Sequence, residues 1–127
     1  MLLVKNIVLD FAKIELLENN IVRIELFDKQ AIGEHESRKI NNSIGRLTEG
    51  QRARILLVPQ PNTSFDHGAR EFSSSDEGLQ FTIADAMVVT SLAHKILVSF
   101  YLKINKPKKP SKAFETEQDA IKWLLTM

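Results

Sequence analysis

Three short stretches of this 127-residue sequence carry side chains that could do chemistry. The first runs Pro61-Asn62-Thr63-Ser64-Phe65-Asp66-His67. Its hydroxyls could accept a phosphate, and free backbone N–H groups at a helix start could hold an anion around Asn62, Thr63 and Ser64. The same residues also read as plain helix capping, with Thr63 as N-cap and Asp66 closing a T-x-x-D box. Caps are far commoner than phosphosites, and the Asp66 carboxylate would repel an added phosphate, so capping is the stronger reading. Ser64, Asp66 and His67 together hold the chemistries of a hydrolytic triad. Triad members normally converge from separate elements, and no G-x-S-x-G elbow surrounds Ser64, so no catalytic residue is expected here.

The second stretch holds Arg70 and Glu71. Arg70, with Phe65 and Tyr101, is a candidate contact for a ligand or partner. Phe65, Phe72, Phe81, Phe100 and Tyr101 could line an apolar cavity, although aromatics at core spacing are more often simply core. The third stretch gathers Lys103, Lys106, Lys108, Lys109 and Lys112 around Pro107 and Pro110. Such a cluster fits an anionic partner, but Lys and Pro are also the usual protection of a sheet edge, and that reading is preferred. Seventeen basic against sixteen acidic residues leave a formal charge of +1, and only Tyr101 could stack a base, so no nucleic-acid partner is expected.

Metal binding is not expected either. His35, His67 and His94 fall on three different predicted elements, and Glu34, His35 and Glu36 splay around a helix because they are consecutive. With no cysteine, thiolate ligands, disulfides and thiol nucleophiles are excluded, and a reducing cytoplasm fits. The opening residues MLLVKNIVLDF lack a basic leader and a cleavage site, and no apolar run nears the roughly 20 residues of a membrane span. The composition, 43% hydrophobic and 26% charged, is that of one globular domain over residues 1–127, with no cofactor implied.

Several elements must position these side chains. Ile14 and Leu16, then Val22, Ile24 and Leu26, alternate on either side of Asn19-Asn20, a pair that tolerates positive φ; they predict an antiparallel hairpin over Ala12–Phe27. Ile40, Ile44 and Leu47 give a thin helical stripe between Ala31 and Leu47. Ile55 to Val58, stopped by Pro59, reads as a central strand covered on both faces. A short helix is predicted over Asp66–Phe72 and a strand over Ile83–Val89, with Asp85 interposed. In the next helix Ala93, Ile96, Leu97, Phe100 and Ile104 form the expected buried face, opposite Lys95, Ser99 and Lys103. Ala113 and Phe114 fit a short edge strand, and Thr116 with Asp119 caps a closing helix that buries Ala120, Ile121, Leu124 and Leu125. The result is an α/β domain: a β-hairpin, then alternating α and β, with a mixed, mainly parallel sheet flanked by helices. The expected core includes Leu56, Val58, Ile83, Val88, Ile96, Phe100, Phe114, Ile121 and Leu124.

The back half resembles the STAS-like family (sulfate transporter and anti-sigma-factor antagonist), and is most similar to bacterial STAS/SEC14 domain-containing proteins. The resemblance lies in Ala69-Arg70-Glu71-Phe72, in Ile83 to Val89, in Ser99-Phe100-Tyr101-Leu102-Lys103-Ile104-Asn105-Lys106-Pro107, and in Phe114 through Leu124. It implies a cytoplasmic signalling module that binds a protein partner and is not an enzyme. It also implies that Thr63 or Ser64 would be the phosphoacceptor, although the D-S-S-G-L phrase of that family is absent. The SEC14-like part of the name implies the alternative, a carrier or sensor of a small apolar ligand. An exposed apolar patch beside Ser64 would support docking, and a closed apolar pocket of roughly 300 Å³ would support a carrier. The oligomeric state is left open, a homodimer included.

Overall fold

A computed structural model describes all of residues 1–127. Three antiparallel strands come first: β1 (Leu3–Val8), β2 (Ala12–Leu17) and β3 (Ile21–Leu26). The Asn pair makes the predicted turn, with Asn19 at φ 63° and Asn20 at φ 56°. Register then pairs Ile14 with Ile24 and Leu16 with Val22, which sets the two apolar rows on one face. β1 escaped the sequence reading. It forms the outer edge and is almost wholly exposed, so it carries no inward alternation to detect.

The chain continues through β4 (Ala31–Ile32), α1 (Glu34–Leu47), β5 (Ala53–Pro59), β6 (Ser64–Phe65), α2 (His67–Ser74) and β7 (Thr82–Val88). It closes with α3 (Leu92–Phe100), a π-helical turn (Tyr101–Asn105), β8 (Ser111–Phe114) and α4 (Glu117–Leu124). The six-stranded sheet runs β1-β2-β3-β5-β7-β8, and every pairing from β3 to β8 is parallel. The fold class is therefore the expected mixed α/β one. β4 and β6 form a separate two-stranded ribbon that ties the entry of α1 to the entry of α2.

One face of the sheet supports α1, α2 and α3. There Ile14, Val22, Ile24, Leu26 and Ile55 pack with Ile40, Ile44 and Leu47. The other face carries α4, where Ile21, Leu56, Ala84, Ala86 and Val88 meet Ala120 and Leu124. Arg23 lies on this side and bonds Glu117 of α4 (Nε to Oε1, 2.7 Å) and Glu25 (3.1 Å). These bonds hold the Glu25 carboxyl below its ordinary range, and raise the Arg23 guanidinium further.

The expected core needs one correction. Leu56, Val88 and Leu124 are buried, and Val58, Ile83, Phe114 and Ile121 pack partly buried around them. Ile96 and Phe100 instead stay 63% and 46% exposed, and with Leu92 and Ile104 they make an apolar stripe on the outside of the molecule. The inward face of this helix is His94, Leu97, Val98 and Tyr101, spaced i, i+3, i+4 and i+7. The aliphatic pattern misled because a histidine and a tyrosine hold the inner positions. Phe100→Ala should accordingly cost below about 1 kcal/mol in urea denaturation, as a surface substitution does. A loss of several kcal/mol would mean that the helix is rotated from this placement.

Candidate functional site

Thr63 does not cap α2. Asp66 does, its Oδ1 accepting the Ala69 N–H at 2.9 Å. Thr63 is buried, and its hydroxyl donates to the Phe27 carbonyl at 2.7 Å. The anion-loop reading fails as well, because the three backbone donors are already taken. Asn62 N–H goes to the Asp28 carboxylate, Thr63 N–H to the Gln60 carbonyl and Ser64 N–H to the Gln30 carbonyl. Asp28, held below its ordinary pKa by the Asn62 backbone and side-chain N–H groups, occupies the place an anion would take. Thr63 is thus closed to a phosphoryl donor, and Ser64, though exposed, sits in the β6 ribbon and not at a helix N-terminus. Asp66→Ala should lower stability by about 0.5–2 kcal/mol, the usual cost of a lost N-cap; an unchanged urea midpoint would remove the cap from the description.

The other three candidates converge. Phe65, Arg70 and Tyr101 line one pocket of about 90 Å³ between the sheet and helices α2 and α3. Alternation in β7 turns Asp85 and Met87 to this face, with Val89 just beyond the strand. Leu57 and Pro59 come from β5, Ala69, Arg70 and Ser73 from α2, and His94, Leu97 and Val98 from α3. A second cavity of about 100 Å³ lies toward α1 and shares Leu57, Phe65, Ser73 and Asp85 with the first. Both are far smaller than the 300 Å³ chamber expected of an apolar carrier.

The pocket is mostly apolar, but its polar atoms are distinctive. Four buried side-chain atoms lack any hydrogen-bond partner in the protein: Arg70 Nε, Asp85 Oδ1, His94 Nδ1 and Tyr101 Oη. All four belong to residues that line this pocket. Buried polar atoms are nearly always paired, because an unpaired one loses water without replacement. Asp85 retains some exposed surface as a residue, yet its Oδ1 is closed off. Burial drives its carboxyl up to about 7, so near neutral pH it exists in both protonation states. Burial, and secondarily the Asp85 charge, raise the Tyr101 phenol above its ordinary value, which keeps it neutral.

His94 is oriented from outside the pocket. Its Nε2 lies 2.6 Å from the Thr63 carbonyl, which can only accept, so Nε2 carries a proton. In the neutral ring Nδ1 is then a bare acceptor. Phe65 supports the imidazole edge-on, with ring centroids 5.9 Å apart. Arg70 is fixed by Nη1 donating to the Phe65 carbonyl at 3.0 Å, and its guanidinium lies 5.5 Å from the Phe100 ring centre. Tyr101 begins the π-helical turn, which ends at Lys106 in a left-handed conformation (φ 49°). Such turns are rare inside helices and recur at functional sites. Asp85 Oδ1 and His94 Nδ1 make no hydrogen bond to each other.

His67 is exposed and bonds Glu71 at 2.8 Å, far in role from the buried His94. Lys108 pairs with Asp76 at 3.4 Å, and Lys112 lies over the Phe114 ring beside the β8 edge. No helix is long and apolar enough to cross a membrane.

The model of the family described as Domain of unknown function (DUF7793) matches residues 15–127. The chain belongs to that family. The match takes in every residue of the pocket, from Leu57 to Tyr101. The DUF7793 chain is also similar to a solved structure, titled a protein with unknown function from Arthrobacter sp. FB24. Identity is 25%, the TM-score is 0.33, and the match covers 90% of this chain and 99% of the other. No curated protein matches it.

Proposed function

We propose that this protein is a non-enzymatic regulatory module that binds a small molecule in the pocket between β5, β7, α2 and α3. One observation carries the reading: four buried polar atoms without a partner in the protein belong to residues that line one mostly apolar pocket. A ligand that pairs with them supplies hydrogen bonds that no other group of the protein makes. The ligand is smaller and more polar at one end than the apolar cargo of a carrier. The resemblance to STAS-like proteins supports the regulatory, bacterial and cytoplasmic part of the proposal. Screening a broad small-molecule panel by thermal shift and amide NMR tests it. Binders should raise the melting temperature through linkage and perturb signals around Asp85, His94 and Tyr101. A panel without any such binder would refute the reading.

The second reading is docking to a protein, which the outer stripe of Leu92, Ile96, Phe100 and Ile104 favours. Lys103 and Lys106 flank the stripe without an acidic partner, so the occupant that fits is an amphipathic helix with an acidic rim. Ile96→Ser should abolish capture of an acidic amphipathic helical peptide while leaving the pocket intact; unchanged capture would remove this reading.

A further inference from the structure

The inventory of the pocket restricts what it can hold. Arg70 Nε can only donate. His94 Nδ1 can only accept while the ring is neutral, because Nε2 is committed to Thr63. Tyr101 Oη donates or accepts, and Asp85 does either according to its protonation state. A carboxylate would satisfy Arg70 and Tyr101 but oppose the lone pair of His94 and the ionised form of Asp85. An ammonium would satisfy Asp85 and His94 but face the Arg70 cation. A hydrocarbon would leave all four atoms unpaired. What remains is a neutral group that presents an acceptor and a donor side by side.

Resting on the small-molecule reading above, we infer that the pocket takes a neutral carboxamide-type head group, its carbonyl toward Arg70 and Tyr101 and its N–H toward His94 and Asp85, on a small branched apolar body. The body fits against Leu57, Met87, Val89, Leu97 and Val98. The size follows from the volume: a cavity of about 150 Å³ suffices for a benzene ring, and this one is smaller. A benzene ring has six non-hydrogen atoms, so head group and body together amount to at most about six. Primary amides, lactams and the amide edge of small heterocycles share this chemistry.

Four near-isosteric probes separate the possibilities: isobutyramide, methyl isopropyl ketone, isobutyrate and isobutylamine, titrated by NMR near neutral pH. The amide should bind about tenfold or more tightly than the ketone, since a missing donor strands buried acceptors. The amide should also move the imidazole ¹⁵N signal of His94 Nδ1, and the ketone should not. Leu125→Ser, exposed at the end of α4 on the other face of the sheet, should change neither result. If the ketone binds as well as the amide, or if isobutyrate or isobutylamine binds tightest, the carboxamide assignment is overturned while small-molecule binding stands. If none of the four binds, the assignment also falls, and the broad panel decides separately whether the pocket binds anything.

Discussion

Replacing Asp85 with Asn should stabilise the protein by up to about 4 kcal/mol at mildly alkaline pH, and flatten its stability between about pH 4 and 7. The folded carboxyl keeps its proton up to about 7, whereas the ordinary value is 3.8. Between these values the native state binds more protons than the unfolded state, so rising pH favours unfolding. The cost is absent at low pH, grows through that window and is fully present above it. Asn cannot ionise, so the variant escapes the cost. Urea denaturation of wild type and Asp85→Asn across pH 4–8 makes the measurement. Parallel curves would mean that the carboxylate is paired in the native protein, and the pocket would lose one of its four open positions. A group retained at such cost is characteristic of a site kept for function over stability.

Gly78→Ala should cost about 3 kcal/mol or more, which is at the severe end for a single methyl group. A Cβ on Gly78 would sit 2.0 Å from the Phe72 carbonyl oxygen and 2.9 Å from its carbon. Both are backbone atoms of α2, so no side-chain rotation relieves the clash. Gly45 offers the contrast: there the obstacle is the Phe81 ring at 2.7 Å, which can move. The displaced turn of α2 includes Ser73, which lines both cavities, so Gly78→Ala should weaken pocket binding along with stability. A variant of normal stability would show that α2 and the Gly78 turn are not in contact.

Much of the fold was legible because local rules agree with the global arrangement. Asn19-Asn20 set the hairpin, and the run Ile55 to Val58 announced a strand covered on both sides. The closing helix follows its Thr116 cap, whose hydroxyl accepts the Asp119 N–H at 3.1 Å. β1 was missed because an exposed edge strand has no buried face to impose a pattern. The Thr63 cap was misplaced because Asp66, three residues on, is an equally good capping residue, and the β4–β6 ribbon moves the helix start beyond it. The site was half legible. Phe65, Arg70 and Tyr101 stand out in the sequence as candidate contacts and share one pocket, whereas Asp85 and His94 do not stand out there as contacts. Asp85 was visible as a charge inside an otherwise apolar strand. His94 could have been found by testing the face His94, Leu97, Val98 and Tyr101 against the more apolar one. What sequence pattern lacks is the tertiary fact that an imidazole, held by a carbonyl of a distant loop, can take a core position.

The change from antiparallel to parallel pairing along the sheet also divides the molecule in time. β1, β2 and β3 are joined by tight local turns, and such hairpins form in about 1–10 μs. β5, β7 and β8 wait for crossovers through helices, whose loop closure must precede any contact that stabilises them. The pocket lies wholly within the part built by those crossovers, so on this order it assembles after the hairpin. If the pocket is still unformed in the transition state, a molecule that binds it does not stabilise that state. Its effect then falls on the unfolding rate, lengthening the life of the native state without hastening its formation.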